Sequence, residues 1–329
     1  MDKVRLTLAI SDYDHVRDLT SGKVRPEGIE LTCLDLPIEE IFFRFTAFRE
    51  WHVSELSMAK YCSLRAAGDQ SLTAIPVFPS RVFRHSSFYV RRDAEIREPA
   101  DLAGRRVGVP EWAQTAGVYA RGLLMHDFGV PLEDVEWVQA GVNEVGREEQ
   151  VALELPEGVR CTVVVDRSIN EMLVAGDLDA ALSAHTPDAF APDGSGPVIR
   201  LFPDHERLER QYFGRTGVFP IMHVVALRRD AFDEHPWIAM ELLKAFEAAK
   251  QRSIARLLEA RASRFPLPWG QTRAEEAIAL LGELWPYGIE PNRATLEAFL
   301  GFCHEQGICG QLLRPEELVP SEVQKEFRI

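Results

Sequence analysis

Arg81 and Arg84 open a stretch that reverses the charge of the chain around it. Residues 81 to 106 hold seven arginines and four acids, whereas the whole sequence carries a formal net charge of −14. A guanidinium presents a planar fork of N–H donors that fits a carboxylate in a bidentate contact, so the local excess points to a small-anion site. Solvation at the surface, or ion pairs between lobes, would use the same arginines without a ligand. A second anion contact is available at Thr115, where a helix is expected to begin. The unbonded N–H groups of a first turn and the helix dipole favour negative charge there, and the hydroxyl adds a donor. Thr would serve equally as a plain N-cap.

An imidazole ordinarily titrates near neutrality, which suits His85 or His185 to general acid and base roles, with Glu55 or Asp14 tuning or replacing one of them. His15 and His223 are further candidates, while His52, His126, His205, His235 and His304 read as surface or helix residues. Each candidate has a plainer use in holding its loop by hydrogen bonds. Trp112 offers a face for an aromatic ring, or simple packing. No His-Glu-x-x-His and no tight His/Asp cluster occurs, so no metal site is assigned, and no Gly-x-Gly-x-x-Gly or P-loop string is present. The segment PDGSGP at 192–197 reads as a turn. The five cysteines are scattered, none in a Cys-x-x-Cys pair, and read as reduced structural thiols.

These side chains need a scaffold that gathers them, and the periodicity supplies one. Short β-patterned runs at 4–10, 29–36, 53–57, 72–78, 106–109, 135–138, 161–165 and 179–183 alternate with helical patterns from 38, at 58–67, at 115–127 and at 169–175. Such alternation predicts an α/β fold with mostly parallel sheets covered by helices. Two β-rich runs without an intervening helix, 87–91 and 217–229, suit crossings between lobes. The division is then residues 1–90 with 217–329 as one lobe and 91–216 as the other. Three helices, at 237–258, 273–284 and 293–305, close the chain. Ligands of such sheets bind at the carboxyl ends of strands. That rule selects Tyr13, Asp14 and His15; Glu55 and Ser57; Arg81, Arg84, His85 and Ser86; Trp112 and Thr115; Asp166 and Arg167; His185 and Thr186. His223 joins them from the second crossing run. Contacts drawn from both lobes imply closure, with the Thr115 and His185 loops moving against 81–86.

The acidic balance, with a pI near 5.2, argues against nucleic acid, whose binding needs a basic face. No run approaches the roughly 20 apolar residues of a membrane span. The opening MDKVRLTLAI turns polar at Ser11 and Asp12, too soon for a secretory core, so the cytoplasm is the expected compartment.

Several segments together carry a resemblance: AISDYDHVRDL at 9–19, PVFPSRVFRHSSFYV at 76–90, TAGVYARG at 115–122, GVFPIMHVVALRRD at 217–230, LPWG at 267–270 and WPYGIEPNRATLEAFL at 285–300. PADLAGRRVGVPEW at 99–112 is similar to the segment opening the second lobe of type II periplasmic solute-binding proteins, and the set as a whole resembles 4,5-dihydroxyphthalate decarboxylases. The resemblance implies a two-lobed fold, a cytosolic enzyme of aromatic catabolism, a homo-oligomer and a small anionic aromatic carboxylate in the cleft. It further implies loss of carbon dioxide from a dihydroxylated ring. That route protonates the ring carbon bearing the carboxylate, pushed by a deprotonated hydroxyl para to it, and requires no organic cofactor. On this view Arg81 and Arg84 hold carboxylate, with Ser86, Trp112, Thr115, Asp166, Arg167, Tyr13 and His223 around the substrate. His85, His185, Glu55 and Asp14 share the proton transfers. The alternative is a non-catalytic binding or sensor protein for the same class of anion.

Overall fold

The computed structural model describes residues 3–262 and 264–324. The alternating pattern after the N-terminus makes β1 (Val4–Ala9), followed by α1 (Arg17–Thr20), β2 (Ile29–Leu34), α2 (Ile38–Phe48), β3 (Val53–Ser57), α3 (Met58–Ala66) and β4 (Leu72–Ile75). A second series runs β5 (Phe88–Arg91), β6 (Arg106–Val109), α4 (Thr115–His126), β7 (Glu136–Gln139), β8 (Arg160–Val163), α5 (Ile169–Ala175), β9 (Ala180–Leu182), β10 (Val198–Arg200) and α6 (His205–Thr216). The chain ends on β11 (His223–Arg228), α7 (Arg229–Glu234), α8 (Ile238–Leu257), α9 (Gly270–Leu281) and α10 (Arg293–Glu305).

Two sheets result, ordered β2-β1-β3-β11-β4 and β10-β5-β9-β6-β7-β8. Within the first, β1 runs parallel to β2 and β3, and β11 returns antiparallel between β3 and β4. Within the second, β9, β6, β7 and β8 are parallel, and β5 lies antiparallel between β9 and β10. The run 87–91, expected as a crossing strand, therefore pairs on both sides inside the second sheet. The passage between sheets is made by the irregular residues 76–87. Four elements, α1, β10, α6 and α7, have no counterpart in the sequence reading. In α6 only Tyr212 is buried, so the helix shows no broad apolar stripe from which it could be read.

One continuous apolar core joins the two sheets, and a smaller cluster around Tyr89, Ile169 and Leu178 covers the far face of the second. α4 is the pin between them: its first ten residues, Thr115 to Leu124, are all buried. α10 packs closely along it, because a Cβ on Gly122 would lie 2.6 Å from the Phe302 ring, a contact only glycine avoids. The Tyr119 and Phe299 rings stack at 4.8 Å beside this point.

Candidate active site

A cavity of about 270 Å³ lies between the sheets, with walls contributed by both. Ile38, Phe42, Ala116, Ala184 and Met222 give it apolar surface; Glu39, Ser57, Lys60, Arg84, Glu111, Gln114, Thr115, Arg147, His185 and His223 give it polar groups. The volume sits near the lower bound of ordinary small-molecule pockets, about 300 Å³, and suits one substituted ring.

At one end stands a buried carboxylate on a strand that the core covers on both faces. Glu55, wholly buried in β3, accepts a hydrogen bond from the Ser11 backbone N–H at 3.1 Å and from the Tyr13 hydroxyl at 2.6 Å. Its Oε1 also lies 2.6 Å from Nδ1 of His223. Burial, reinforced by the Glu55 charge, pushes the Tyr13 phenol far above its ordinary range, so it remains a donor. The carboxylate fixes the proton of His223 on Nδ1, which leaves Nε2 without a protein partner among the described residues. The antiparallel return of β11 explains the placement: His223 pairs with Ser57, so the first residue of β11 reaches the same edge as the last of β3. Phe42 packs edge-on against the imidazole at 4.8 Å.

Arg84 forms the opposite electrostatic feature. Its Nε and Nη2 face only the Met222 sulfur, at 3.1 and 2.8 Å, and burial draws its pKa down to about 10. A thioether is a weak acceptor, so this guanidinium has strong donors and no carboxylate partner among the described residues. Nearby, the N-termini of α3 and α4 meet. The Thr115 hydroxyl accepts from the Ala59 backbone N–H at 3.0 Å and pairs with the Ser57 hydroxyl at 2.9 Å. Thr115 thus caps the neighbouring helix instead of its own, while the first N–H groups of α4 remain without intrahelical acceptors.

Ions from both sides meet across the mouth. Glu39 of α2 meets Arg147 at 2.8 Å and His185 at 3.2 Å, and these partners, His185 foremost, hold its carboxyl down at about 2 against the opposing effect of burial. Arg147 continues to Glu111 at 2.6 Å, and Glu111 to Lys60 at 2.9 Å.

The structure gathers Tyr13, Glu55, Ser57, Arg84, Thr115, His185 and His223 around this space and places the other residues expected to hold substrate or move protons elsewhere. Arg81 is caged by neutral acceptors, the Phe219 carbonyl at 3.1 Å, the Pro286 carbonyl at 2.7 Å and the Asn292 side chain, and does not line the cavity. His85 is buried against Phe202 and Tyr212 with Glu209 4.0 Å away, and burial lowers its pKa to about 4. Ser86 turns its backbone N–H toward the same Glu209. Trp112 donates to the Gln306 carbonyl at 2.8 Å and supports the Arg121 guanidinium 3.9 Å above its ring. Asp14 accepts from Ser253 at 2.7 Å, and Arg167 pairs with Asp177 at 2.7 Å beside the exposed Asp166. Among the described residues, no group of three or more His, Cys, Asp or Glu could hold a metal ion.

Sequence reasoning missed Glu39, Lys60, Glu111 and Arg147. The signal for three of them was present: Glu39 and Lys60 fall in the first turns of helices that follow β2 and β3, and Glu111 lies two positions past β6. Arg147 sits in the long irregular segment after β7, where no periodicity points to it.

The packing also bears on closure. α4 is held by α3 at its start and by α10 along its length, so the Thr115 end is not free to swing as a lobe. Opening is expected at the salt-bridged mouth, Arg147 with its neighbours and His185. A saturating small dicarboxylate is therefore expected to leave the radius of gyration in small-angle scattering almost unchanged while slowing amide exchange across 141–150. A clear compaction would show that the sheets hinge as whole bodies.

With the geometry in place, comparison with known proteins adds its own result. The chain is 36% identical over 332 residues to the 4,5-dihydroxyphthalate decarboxylase of Comamonas testosteroni, spanning 100% of both chains. It is 38% identical over 205 residues to the 4,5-dihydroxyphthalate decarboxylase of Pseudomonas putida, covering 62% of this chain and 79% of that one. Residues 80–150 match the family model described as NMT1/THI5 like. Among solved structures, the periplasmic aliphatic sulphonate binding protein SsuA of Escherichia coli aligns with TM-score 0.54 at 12% identity, over 98% of this chain and 99% of that one. The alkanesulfonate-binding protein SsuA of Xanthomonas axonopodis pv. citri, bound to MOPS, aligns with TM-score 0.53 at 13% identity, over 97% and 99%. At those identities the structures establish the fold, that of type II periplasmic binding proteins. No helix among the described residues is long and apolar enough to cross a membrane.

Proposed function

Because the chain belongs to the 4,5-dihydroxyphthalate decarboxylase family, we propose that it converts 4,5-dihydroxyphthalate to protocatechuate and carbon dioxide in the cavity between its sheets. The observation that carries this reading is the pairing, in one small cavity, of a guanidinium lacking a carboxylate partner with a histidine backed by a buried carboxylate. Arg84 takes the carboxylate that stays on the ring, displacing the contact with Met222, and the open N–H groups of α4 favour the same charge. Phe42, Ile38 and Ala116 supply apolar surface for the ring.

His223 Nε2 receives the proton of the hydroxyl para to the departing carboxylate. Glu55 stabilises the imidazolium that forms, and Tyr13 holds Glu55 in place. With the phenolate made, electron density moves to the ring carbon bearing the carboxylate. Protonation there yields a dienone, the carbon–carbon bond breaks, and its electron pair restores the aromatic ring as carbon dioxide leaves. The proton returns from His223 to the phenolate oxygen. The sum consumes one proton from solvent and replaces a carboxylate by hydrogen. A bound ring displaces water from the cavity, which strengthens the Arg84 contact.

This reading places the protein in the cytoplasm, with the intermediates of aromatic breakdown, and a homo-oligomeric state remains part of the proposal. Incubation of the purified protein with 4,5-dihydroxyphthalate should release carbon dioxide and protocatechuate in equal amounts. A protein that binds the diacid but forms neither product would be a binding module, and the enzyme assignment would fall.

A further inference from the structure

The decarboxylation just described needs a proton delivered to carbon, and the cavity holds a donor with no assigned task. We propose that Lys60 is the general acid that protonates the ring carbon from which the carboxylate departs, an inference that rests on the decarboxylase reading. Lys60 is 3% exposed, lies in the first turn of α3 and lines the cavity with Arg84 and His223. Its Nζ is tethered by Glu111 at 2.9 Å and by the Gln150 side-chain oxygen at 2.7 Å.

A structural purpose for this cation is weak on two counts. The first turn of a helix is the positive end of its dipole, where a cation is disfavoured, so α3 gains nothing from it. A buried ion pair is often no more stabilising than packed apolar side chains of similar volume, so the pairing with Glu111 does not itself explain the lysine. An ammonium group carries three protons on a mobile stem. Gln150 accepts one of these N–H groups and Glu111 is held in ion-pair contact, which leaves an N–H for a ligand.

The other candidates fit the task less well. His223 is committed to the phenolic proton at the opposite side of the ring. His185 sits at the mouth with its side chain about half exposed and pairs with Glu39. Arg84 and Arg147 do not release protons in proteins. In the proposed step one Lys60 N–H bond breaks and its proton forms the new C–H bond, while the nitrogen keeps the electron pair. The ring π electrons that bond the proton are those pushed from the phenolate. After carbon dioxide leaves, the neutral amine takes one proton from water entering through the opened mouth, which restores the starting state.

The test compares Lys60→Met, Lys60→Arg and the double variant Lys60→Met with Glu111→Gln, each in full-length protein. The double variant removes the carboxylate left without its lysine, so that a folding defect of the single change does not end the test. Phthalate, which has no hydroxyl, serves as the binding probe by calorimetry. Expected are a kcat lower by on the order of 10²- to 10⁴-fold in all three, with phthalate affinity within about threefold of wild type. A bound-phenolate absorbance should persist in stopped-flow, because the His223 step precedes the missing one. A kcat near wild type in Lys60→Arg would show that only charge is needed and overturn the proposal, as would a loss confined to KM. If the wild-type protein itself releases no carbon dioxide, it is the decarboxylase reading that has failed.

Discussion

Arg84→Met is expected to weaken binding of 4,5-dihydroxyphthalate by about 2 to 5 kcal/mol, the range for truncating one member of a buried charge pair. That is roughly a 30-fold to several-thousand-fold rise in Kd. The opposite sign is expected for the stability of the empty protein. In the absence of ligand the guanidinium has no carboxylate within ion-pair distance among the described residues and faces a thioether, so its desolvation is offset only in part, by the more distant charge of Glu209. Thermal melting of the variant should match or exceed wild type without ligand, and the stabilisation conferred by ligand should largely disappear. Arg84→Lys keeps the charge but loses the bidentate fork and should fall between the two. Arg81 supplies the control. Its Nη1 and Nη2 donate to Phe219, Pro286 and Asn292, so Arg81→Met should lower the melting temperature by removing a cation from a cage of neutral acceptors. Calorimetry with phthalate and a melting curve for each protein separate the two arginines. Unchanged affinity in Arg84→Met would remove the anchor from the mechanism.

The contrast between these two arginines shows where the sequence stops being informative. Both lie in an irregular segment, three positions apart, with no periodicity to orient either. What distinguishes them is a cage contributed by residues 219, 286 and 292, and no local pattern announces a contact across more than a hundred residues of chain. The site was more legible where a regular strand set the geometry. The carboxyl-end rule found Tyr13 after β1 and Glu55 within β3, and a Glu in a run as short and covered as VSELS stands out because a buried charge needs a partner. The same rule chose Trp112 where the cavity receives Glu111. Both lie in the turn just past β6, where one position separates the side chain offered to the cavity from the one packed in the core.

Elements that bury much apolar surface were located by the sequence: β1, β3, β6, α4 and α10, among others, fall within a residue or two of their expected bounds. Those it lost were marginal by the same physics. β10 is three residues long and follows a turn rich in Gly and Pro, and α6 buries a single tyrosine. The strand 87–91 was recognised as a strand but given to the wrong position, since pairing partners far apart in sequence, Ala180 to Leu182 and Val198 to Arg200, decide which sheet it joins. Periodicity reports burial of a face, and topology is settled by contacts it does not encode.

His223→Gln is expected to lower kcat by on the order of 10²- to 10⁴-fold, the usual contribution of a positioned general base, while leaving phthalate affinity close to wild type. Glutamine retains a donor that reaches Glu55, so the buried carboxylate is not stranded and the fold should persist. Glu55 does not line the cavity and works through the imidazole: it fixes the proton on Nδ1, turns Nε2 to the ligand and stabilises the charged ring once formed. Glu55→Gln should therefore slow the reaction by less than His223→Gln, and it should alter the pH profile of kcat/KM, because the imidazolium loses its counter-charge. The double variant should be little slower than His223→Gln alone, since residues acting as one unit are strongly non-additive. Independent roles would instead multiply the two losses. Stopped-flow absorbance separates the step affected. Wild type should show the bound phenolate early, whereas His223→Gln should bind the diacid and show none. Phenolate forming at the wild-type rate in His223→Gln would assign the base elsewhere and reduce the Glu55–His223 pair to a structural tie between β3 and β11.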